Sequence, residues 1–131
     1  MCIICDSPKD NLLNCKYTKK QEIENDNYKL YVKQICNYQG STISGLLNIK
    51  ELYICCCPNL KVISNMKNLC KLYITDCASL EIVDLCELKN INHLYLNRCS
   101  NLSTIYGCKR STTINIYSCP RTVSIQNLED E

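Results

Sequence analysis

Apolar residues recur along this chain at a spacing of about twenty residues, and within each copy they alternate with polar ones. The alternating part of each copy holds two apolar residues separated by one position: Leu52 and Ile54, Leu72 and Ile74, Leu94 and Leu96, Ile114 and Ile116. Alternation with a period of two is typical of a strand that buries one face. The pattern therefore predicts one short strand per copy, at spacings of 20, 22 and 20 residues.

Further columns follow each strand, and the copies share the template L-x-x-L-Y-I-x-x-C-x-x-L-x-x-I-x-x-[M/C/L]. The cysteine column is Cys57, Cys77, Cys99 and Cys119. After it come Leu60, Leu80, Leu102 and Thr122, then Ile63, Val83, Ile105 and Ile125, and last Met66, Cys86, Cys108 and Leu128. A unit of this length cannot bury its own apolar face, so the copies must stack into a one-dimensional core.

This template resembles the leucine-rich repeat family, whose core is L-x-x-L-x-L-x-x-N/C-x-L. The closest variety is the cysteine-bearing type found in the repeat domains of plant immune receptors, as in YICCCPNLKVIS from Tyr53. The resemblance covers residues 46–128 and implies a leucine-rich-repeat solenoid of the α/β class, dominated by β-structure. We expect a parallel concave β-sheet, a short and mostly non-helical convex side, and about five repeats.

A weaker first copy is predicted upstream, where Leu30, Tyr31 and Val32 lie 22 residues before Leu52, Tyr53 and Ile54. Cys36 then falls one place later than the template requires. The solenoid is predicted over residues 28–131, and residues 1–27 are predicted to form an N-terminal cap with a polar outer face. Together they would make one compact domain.

Composition narrows the range of functions. The net charge is +2, which argues against nucleic-acid binding. No apolar run approaches the ~18 residues of a membrane span. With one histidine and three glycines, no matched catalytic pair and no phosphate loop can be recognised. We therefore expect no enzyme activity, cofactor or small-molecule substrate.

Thirteen cysteines in 131 residues reach the content of a secreted disulfide scaffold. Their number is odd, however, and the first residues lack the pattern of a signal peptide. An intracellular, reducing, cytoplasmic location is therefore predicted, which also suits solvent-facing thiols at Cys55 and Cys56.

The cysteines of the template, Cys57, Cys77, Cys99 and Cys119, are interpreted as structural. The family resemblance implies an inward position in the turn after the strand, and free Cys packs as a small hydrophobe. A disulfide or metal within this row is the alternative.

The N-terminal cysteines form a separate group, because Cys2 and Cys5 have the spacing of half a zinc site. Cys15 and Cys36 could complete it, but they lie 21 residues apart and no histidine is near. The alternative is that Cys2–Cys5 is a capping strand and that no metal binds.

The outward strand positions predict a ladder of tyrosines, since in-register residues on parallel strands lie ~4.8 Å apart. The predicted partner-binding set is Tyr31, Tyr53, Tyr73, Tyr95, Lys71, His93, Asn97 and Tyr117. Tyrosine suits recognition because its ring is large and rigid. Stabilisation of the sheet by ring contacts is the competing explanation.

Two functions follow from this set. The first is a protein–protein interaction module that binds a protein partner through the tyrosine-lined concave face. The second is a structural subunit of a larger assembly. Abundant Asn, Lys, Ile and Tyr indicate AT-rich coding, common in large DNA viruses, so a minor virion- or capsid-associated protein is one form of this second hypothesis.

Overall fold

The computed structural model describes residues 32–119 and 123–127, which form a β-solenoid of about five turns with almost no helix. The strands are β1 Val32–Cys36, β2 Thr42–Ser44, β3 Glu51–Cys55, β4 Val62–Ser64, β5 Lys71–Thr75, β6 Ile82–Asp84, β7 His93–Asn97, β8 Thr104–Cys108, β9 Thr113–Tyr117 and β10 Ser124–Asn127. One 3₁₀ turn, Leu85–Glu87, lies between β6 and β7. The predicted stack of strand-based copies is confirmed.

Two walls of parallel strands enclose the core. The first wall is a five-stranded sheet in the order β1-β3-β5-β7-β9, one strand from each coil. The second wall consists of a two-stranded sheet, β2-β4, and a three-stranded sheet, β6-β8-β10. This second wall contains more strand than the sequence predicted, because the segments that carry Ile63, Val83 and Ile105 are extended and pair in register.

The core is filled by the predicted apolar columns. Leu52, Leu72 and Leu94 of the first wall are fully buried, as are the leucines of the turn, Leu60, Leu80 and Leu102. Each such side chain removed from water contributes roughly 1.5–3 kcal/mol. Since every coil contributes the same columns, burial between neighbouring coils holds the stack together.

The first coil has a different register from the one predicted. β1 pairs with β3 so that Lys33 lies opposite Leu52, Gln34 opposite Tyr53 and Cys36 opposite Cys55, an offset of 19 residues rather than 22. This register directs Ile35 into the core, where it is fully buried. The predicted alignment rested on the similarity of Leu30-Tyr31-Val32 to Leu52-Tyr53-Ile54. It therefore placed Val32, and not Ile35, in the column of Ile54.

The shift reassigns several residues. Gln34, and not Tyr31, occupies the tyrosine column, and Tyr31 lies outside the described residues. The predicted offset of 22 would place Lys33 in the outward column of Cys55, but it lies in the inward column at 5% exposure. Tyr38 takes the place of the repeat cysteine and packs against the core. The predicted cap, residues 1–27, also lies outside the described residues.

A 3₁₀ turn absorbs the two extra residues of the third coil. It begins after Asp84, whose Oδ1 accepts a 2.9 Å hydrogen bond from the Cys86 amide. Cys86 is consequently exposed, so its predicted place in the buried Met66 column was wrong. Leu88 takes that place, because its carbonyl accepts from the Ile91 amide as that of Met66 accepts from Leu69.

Two corners of each coil have a repeated local structure. The residue directly after each strand of the first wall is left-handed, with φ between 52° and 62°: Asn37, Cys56, Asp76, Arg98 and Ser118. In addition, asparagine side chains join successive coils. The amide of Asn68 donates to the Leu47 carbonyl at 2.7 Å, and that of Asn101 donates to the Ala78 carbonyl at 2.7 Å.

Candidate recognition surface

The outward face of the five-stranded sheet carries most of the predicted partner-binding residues. Because side chains alternate across a strand, the inward leucines and isoleucines direct the residues between them away from the core. Three columns result: Glu51, Lys71, His93 and Thr113; Tyr53, Tyr73, Tyr95 and Asn115; Cys55, Thr75, Asn97 and Tyr117. The strand registers confirm these columns from β3 to β9.

The tyrosines form a continuous aromatic row. Tyr53 and Tyr73 stack face to face, with ring centroids 4.5 Å apart and planes 3° from parallel. The Tyr73 and Tyr95 centroids lie 5.9 Å apart with planes tilted by 43°. Tyr117, from the neighbouring column, extends the row at 5.3 Å from Tyr95. The three central rings are half-buried, and Tyr117 is 51% exposed.

Polar groups border the aromatic row on the side of the strand starts. The hydroxyl of Tyr53 donates a hydrogen bond to Glu51 Oε1 at 3.2 Å. The ring of His93 lies 5.5 Å from that of Tyr73, and Lys71 between Glu51 and His93 is exposed. An apolar strip with a polar border is the usual layout of a protein-binding patch.

Opposite charges lie on the other side of the row, at the left-handed corner. Arg98 Nη2 and Asp76 Oδ2 are 2.8 Å apart, and both side chains are substantially exposed. Sequence reasoning did not select these two residues or Glu51. The signal available was positional, since Asp76 and Arg98 each directly precede a repeat cysteine.

The repeat cysteines lie inside the coil beneath this corner. Cys57, Cys77 and Cys99 are fully buried, and Cys119 in the last coil is half-buried. Each thiol contacts the carbonyl two residues earlier; the distances are 3.5 Å for Cys57, 3.4 Å for Cys77, 3.7 Å for Cys99 and 3.4 Å for Cys119. The small side chain therefore gives a weak donor to the last strand carbonyl where the chain turns.

Burial and mutual contact control how these thiols ionise. Burial raises the pKa of Cys99 to about 11. A hydrogen bond between the Cys57 and Cys77 thiols lowers the pKa of Cys57 to about 7 and raises that of Cys77 far above its usual range. The first thiolate of such a pair accepts the bond, and the second ionisation must give it up.

The remaining predicted cysteine sites lie on the surface, in β1 or outside the described residues. Cys56 is exposed and Cys55 is half-buried on the outward face. Cys36 is buried in β1 opposite Cys55, while Cys2, Cys5 and Cys15 lie outside the described residues. Within residues 32–119 and 123–127, no three His, Cys, Asp or Glu side chains lie together so as to hold a metal ion.

Comparison with known proteins gives no relative for this chain. No protein-family model matches it, and neither a curated protein nor a solved structure does. In the part of the chain that the structure describes, no helix is long and apolar enough to span a membrane.

Proposed function

We propose that the chain is a protein–protein interaction module that binds its partner through the outward face of the five-stranded sheet. The single observation that carries this proposal is the aromatic row from Tyr53 to Tyr117, half-exposed and bordered by Glu51, Lys71 and His93. Concave sheet faces are the usual binding surfaces of repeat proteins. Aromatic anchors within a polar border match the composition of binding hot spots.

A row that only stabilises the sheet is the competing explanation, and the solvent exposure of its last member favours recognition. Tyr53 and Tyr73 are stacked in parallel, and the later rings are tilted by about 40°. Both arrangements are favourable for aromatic pairs, so ring contacts alone would account for the central part of the row. Tyr117, outside the main column, is 51% exposed and extends the surface available to a partner.

The test is partner capture with matched variants. Wild type, the triple variant Tyr53→Ser/Tyr73→Ser/Tyr95→Ser and the control Tyr106→Ser would be used as baits under reducing conditions. Tyr106 is an exposed tyrosine on β8, in the opposite wall. We expect the triple variant to lose the partner that the other two baits retain. Circular dichroism and urea unfolding would establish that it is folded, and an unchanged partner set would overturn the proposal.

We further propose that the chain is a leucine-rich repeat protein of the cysteine type rather than a plain β-helix. The strand template and the inward cysteine that turns the chain support this relationship. The paired strands of the second wall are the feature that a plain β-helix would share.

A substitution at the repeat cysteine distinguishes the two folds. In the leucine-rich repeat template Asn alternates with Cys at this position, so its amide should find turn carbonyls in place of the thiol. Cys77→Asn is then expected to stay within about 1 kcal/mol of wild type in urea unfolding, given that a buried amide is satisfied. A loss of several kcal/mol, with Cys77→Val better tolerated, would favour the plain β-helix.

A further inference from the structure

The last coil of the described solenoid has an open edge. β9 ends the five-stranded sheet and β10 ends the three-stranded one, and no other strand of residues 32–119 and 123–127 pairs with either outer edge. Ile114 and Ile116 are only half-buried, whereas Leu94 and Leu96 in the preceding coil are fully buried. Ile125 is 45% exposed although its neighbour Ile105 is fully buried. The apolar columns that form the core are therefore partly exposed to solvent at this end.

The backbone of β9 carries hydrogen-bonding groups along that edge that no other strand of the described residues pairs. The Thr113 amide donates back to the Asn92 carbonyl at 2.9 Å, and the Tyr117 carbonyl accepts from Arg98 at 3.0 Å. Thr113, Asn115 and Tyr117 thus direct their backbone groups toward β7. Because direction alternates along a parallel ladder, the N–H and C=O groups of Ile114 and Ile116 point to the open side.

β9 lacks the usual protection against pairing, and the β8–β10 ladder has one irregularity, between Gln126 and Asn127. β9 reads TINIY and β10 reads SIQN, without a charge or a proline. Natural edge strands are commonly blocked by lysine, proline or a bulge. By contrast, the strand at the opposite end of the sheet, β1, has four of its five residues buried. The side chains of β1 are therefore largely shielded from solvent, whereas those of β9 and β10 are not.

We propose that a second copy of this chain pairs with this edge, β9 antiparallel to β9, about a two-fold axis at Asn115. Ile114 then lies opposite Ile116 of the second copy, and Ile116 opposite Ile114. Both residues direct their backbone groups to the open side, which is what a hydrogen-bonded antiparallel pair requires, and each such pair exchanges two bonds.

The directions in which the side chains project are also consistent with this pairing. Residues directly opposite in an antiparallel pair project to the same face of the sheet. Ile114 and Ile116 both face inward, so the two open cores would close on each other. Asn115 meets its own copy on the outer face.

A second copy fits better than the other occupants of such an edge. Head-to-tail stacking into a filament would need an accessible β1 edge, which is buried. An extended segment of another protein could add a strand, but the self-complementary order Ile-Asn-Ile needs no other sequence. The symmetric contact closes after two chains.

The test measures mass in solution under reducing conditions, which exclude disulfide-linked pairs through Cys56. Sedimentation equilibrium of the full chain is expected to give twice the 15.1 kDa chain mass. Asn115→Lys and Asn115→Asp each place like charges together at the axis. Each variant alone is expected to weaken the dimer about tenfold or more. An equimolar mixture of the two should restore it, because lysine then faces aspartate.

The matched control is Asn48→Lys, which adds the same charge at an exposed position before β3, three strands away from β9. It should remain dimeric. A monomeric wild type at high micromolar concentration would overturn the proposal, as would a dimer unaffected by either charge at position 115. Restoration by mixing also excludes misfolding as the cause of the monomer.

Discussion

At the scale of single residues, the corner after each strand of the first wall is the most constrained position. Five residues other than glycine occupy the left-handed region there, and they share no chemistry: two polar, one acidic, one basic and one thiol. A left-handed conformation costs an L-residue roughly 1–2 kcal/mol. The coil geometry therefore imposes the conformation, and the repeat as a whole compensates the cost.

Changing Cys56 tests this strain directly. Cys56→Gly is expected to raise the free energy of unfolding by about 0.5–1 kcal/mol, because glycine adopts a positive φ without steric cost. Cys56→Val should lower it by about 1 kcal/mol or more, since a β-branched residue fits that region poorly. Urea unfolding measures both. Thr75→Gly, one residue before the equivalent corner of the next coil, is the control and should destabilise.

The buried thiol of Cys99 predicts a dependence of stability on pH. Its pKa in the folded chain is about 11, against 9.0 for an unburied thiol. The folded state thus holds this proton after the unfolded state has lost it. Stability from this group is complete below pH 9 and declines between pH 9 and 11, by about 2 kcal/mol. Unfolding of wild type and Cys99→Ser across that range measures it; equal slopes for the two proteins would contradict the prediction.

At the scale of elements, asparagine side chains hold successive turns together independently of the strands. The amide of Asn68 reaches a carbonyl 21 residues earlier, at 2.7 Å, and that of Asn101 reaches one 23 residues earlier. Each bond fixes one coil against the next at a corner where the sheet cannot. The turns should therefore share in the cooperativity of the walls.

Replacing the donor of one such hydrogen bond by an acceptor should lower the free energy of unfolding. Asn68→Asp preserves the shape but places a carboxylate against the Leu47 carbonyl, so we expect a loss of about 2 kcal/mol in urea unfolding. Asn68→Ala, which removes only the bond, should lose less. Asn92→Asp makes the same change at an exposed asparagine and serves as the control. Equal losses for Asn68→Asp and Asn92→Asp would mean that the corner bond contributes nothing.

The strands also show how much of the fold could be predicted from the sequence. Columns of Leu, Ile and Cys recur in four copies, and their spacing led directly to the β3, β5, β7 and β9 registers and to the tyrosine row. The register of the first coil could not be found in this way, because its inward strand position holds Lys33 and its cysteine position holds Tyr38. The ion pair of Asp76 and Arg98 also escaped detection, since it depends on a corner conformation that no residue type marks.

At the scale of the whole molecule, the stack is stabilised unevenly along its length. Leu72 has a coil on each side and is fully buried, whereas Ile114 in the last described coil is half-buried. The same kind of truncation should therefore have different costs at the centre and at the end. This gradient is a consequence of one-dimensional packing.

Two alanine variants measure the gradient. Leu72→Ala is expected to cost about 3–5 kcal/mol of unfolding free energy, as for a large side chain removed from a closed core. Ile114→Ala should cost less than half as much at protein concentrations low enough for the monomer. A dimer closed through β9 would raise the cost of Ile114→Ala as concentration rises. Equal costs at low concentration would show that the last coil is as well packed as the middle.

The 3₁₀ turn of the third coil has a consequence for how such a chain can change in length. Its two additional residues leave every residue pair between β5 and β7 and between β6 and β8 in register. The insertion is therefore accommodated at the corner and is not transmitted along the strands. We therefore expect that further residues, an epitope or a fluorophore inserted at this corner would leave the pairing of the strands unchanged.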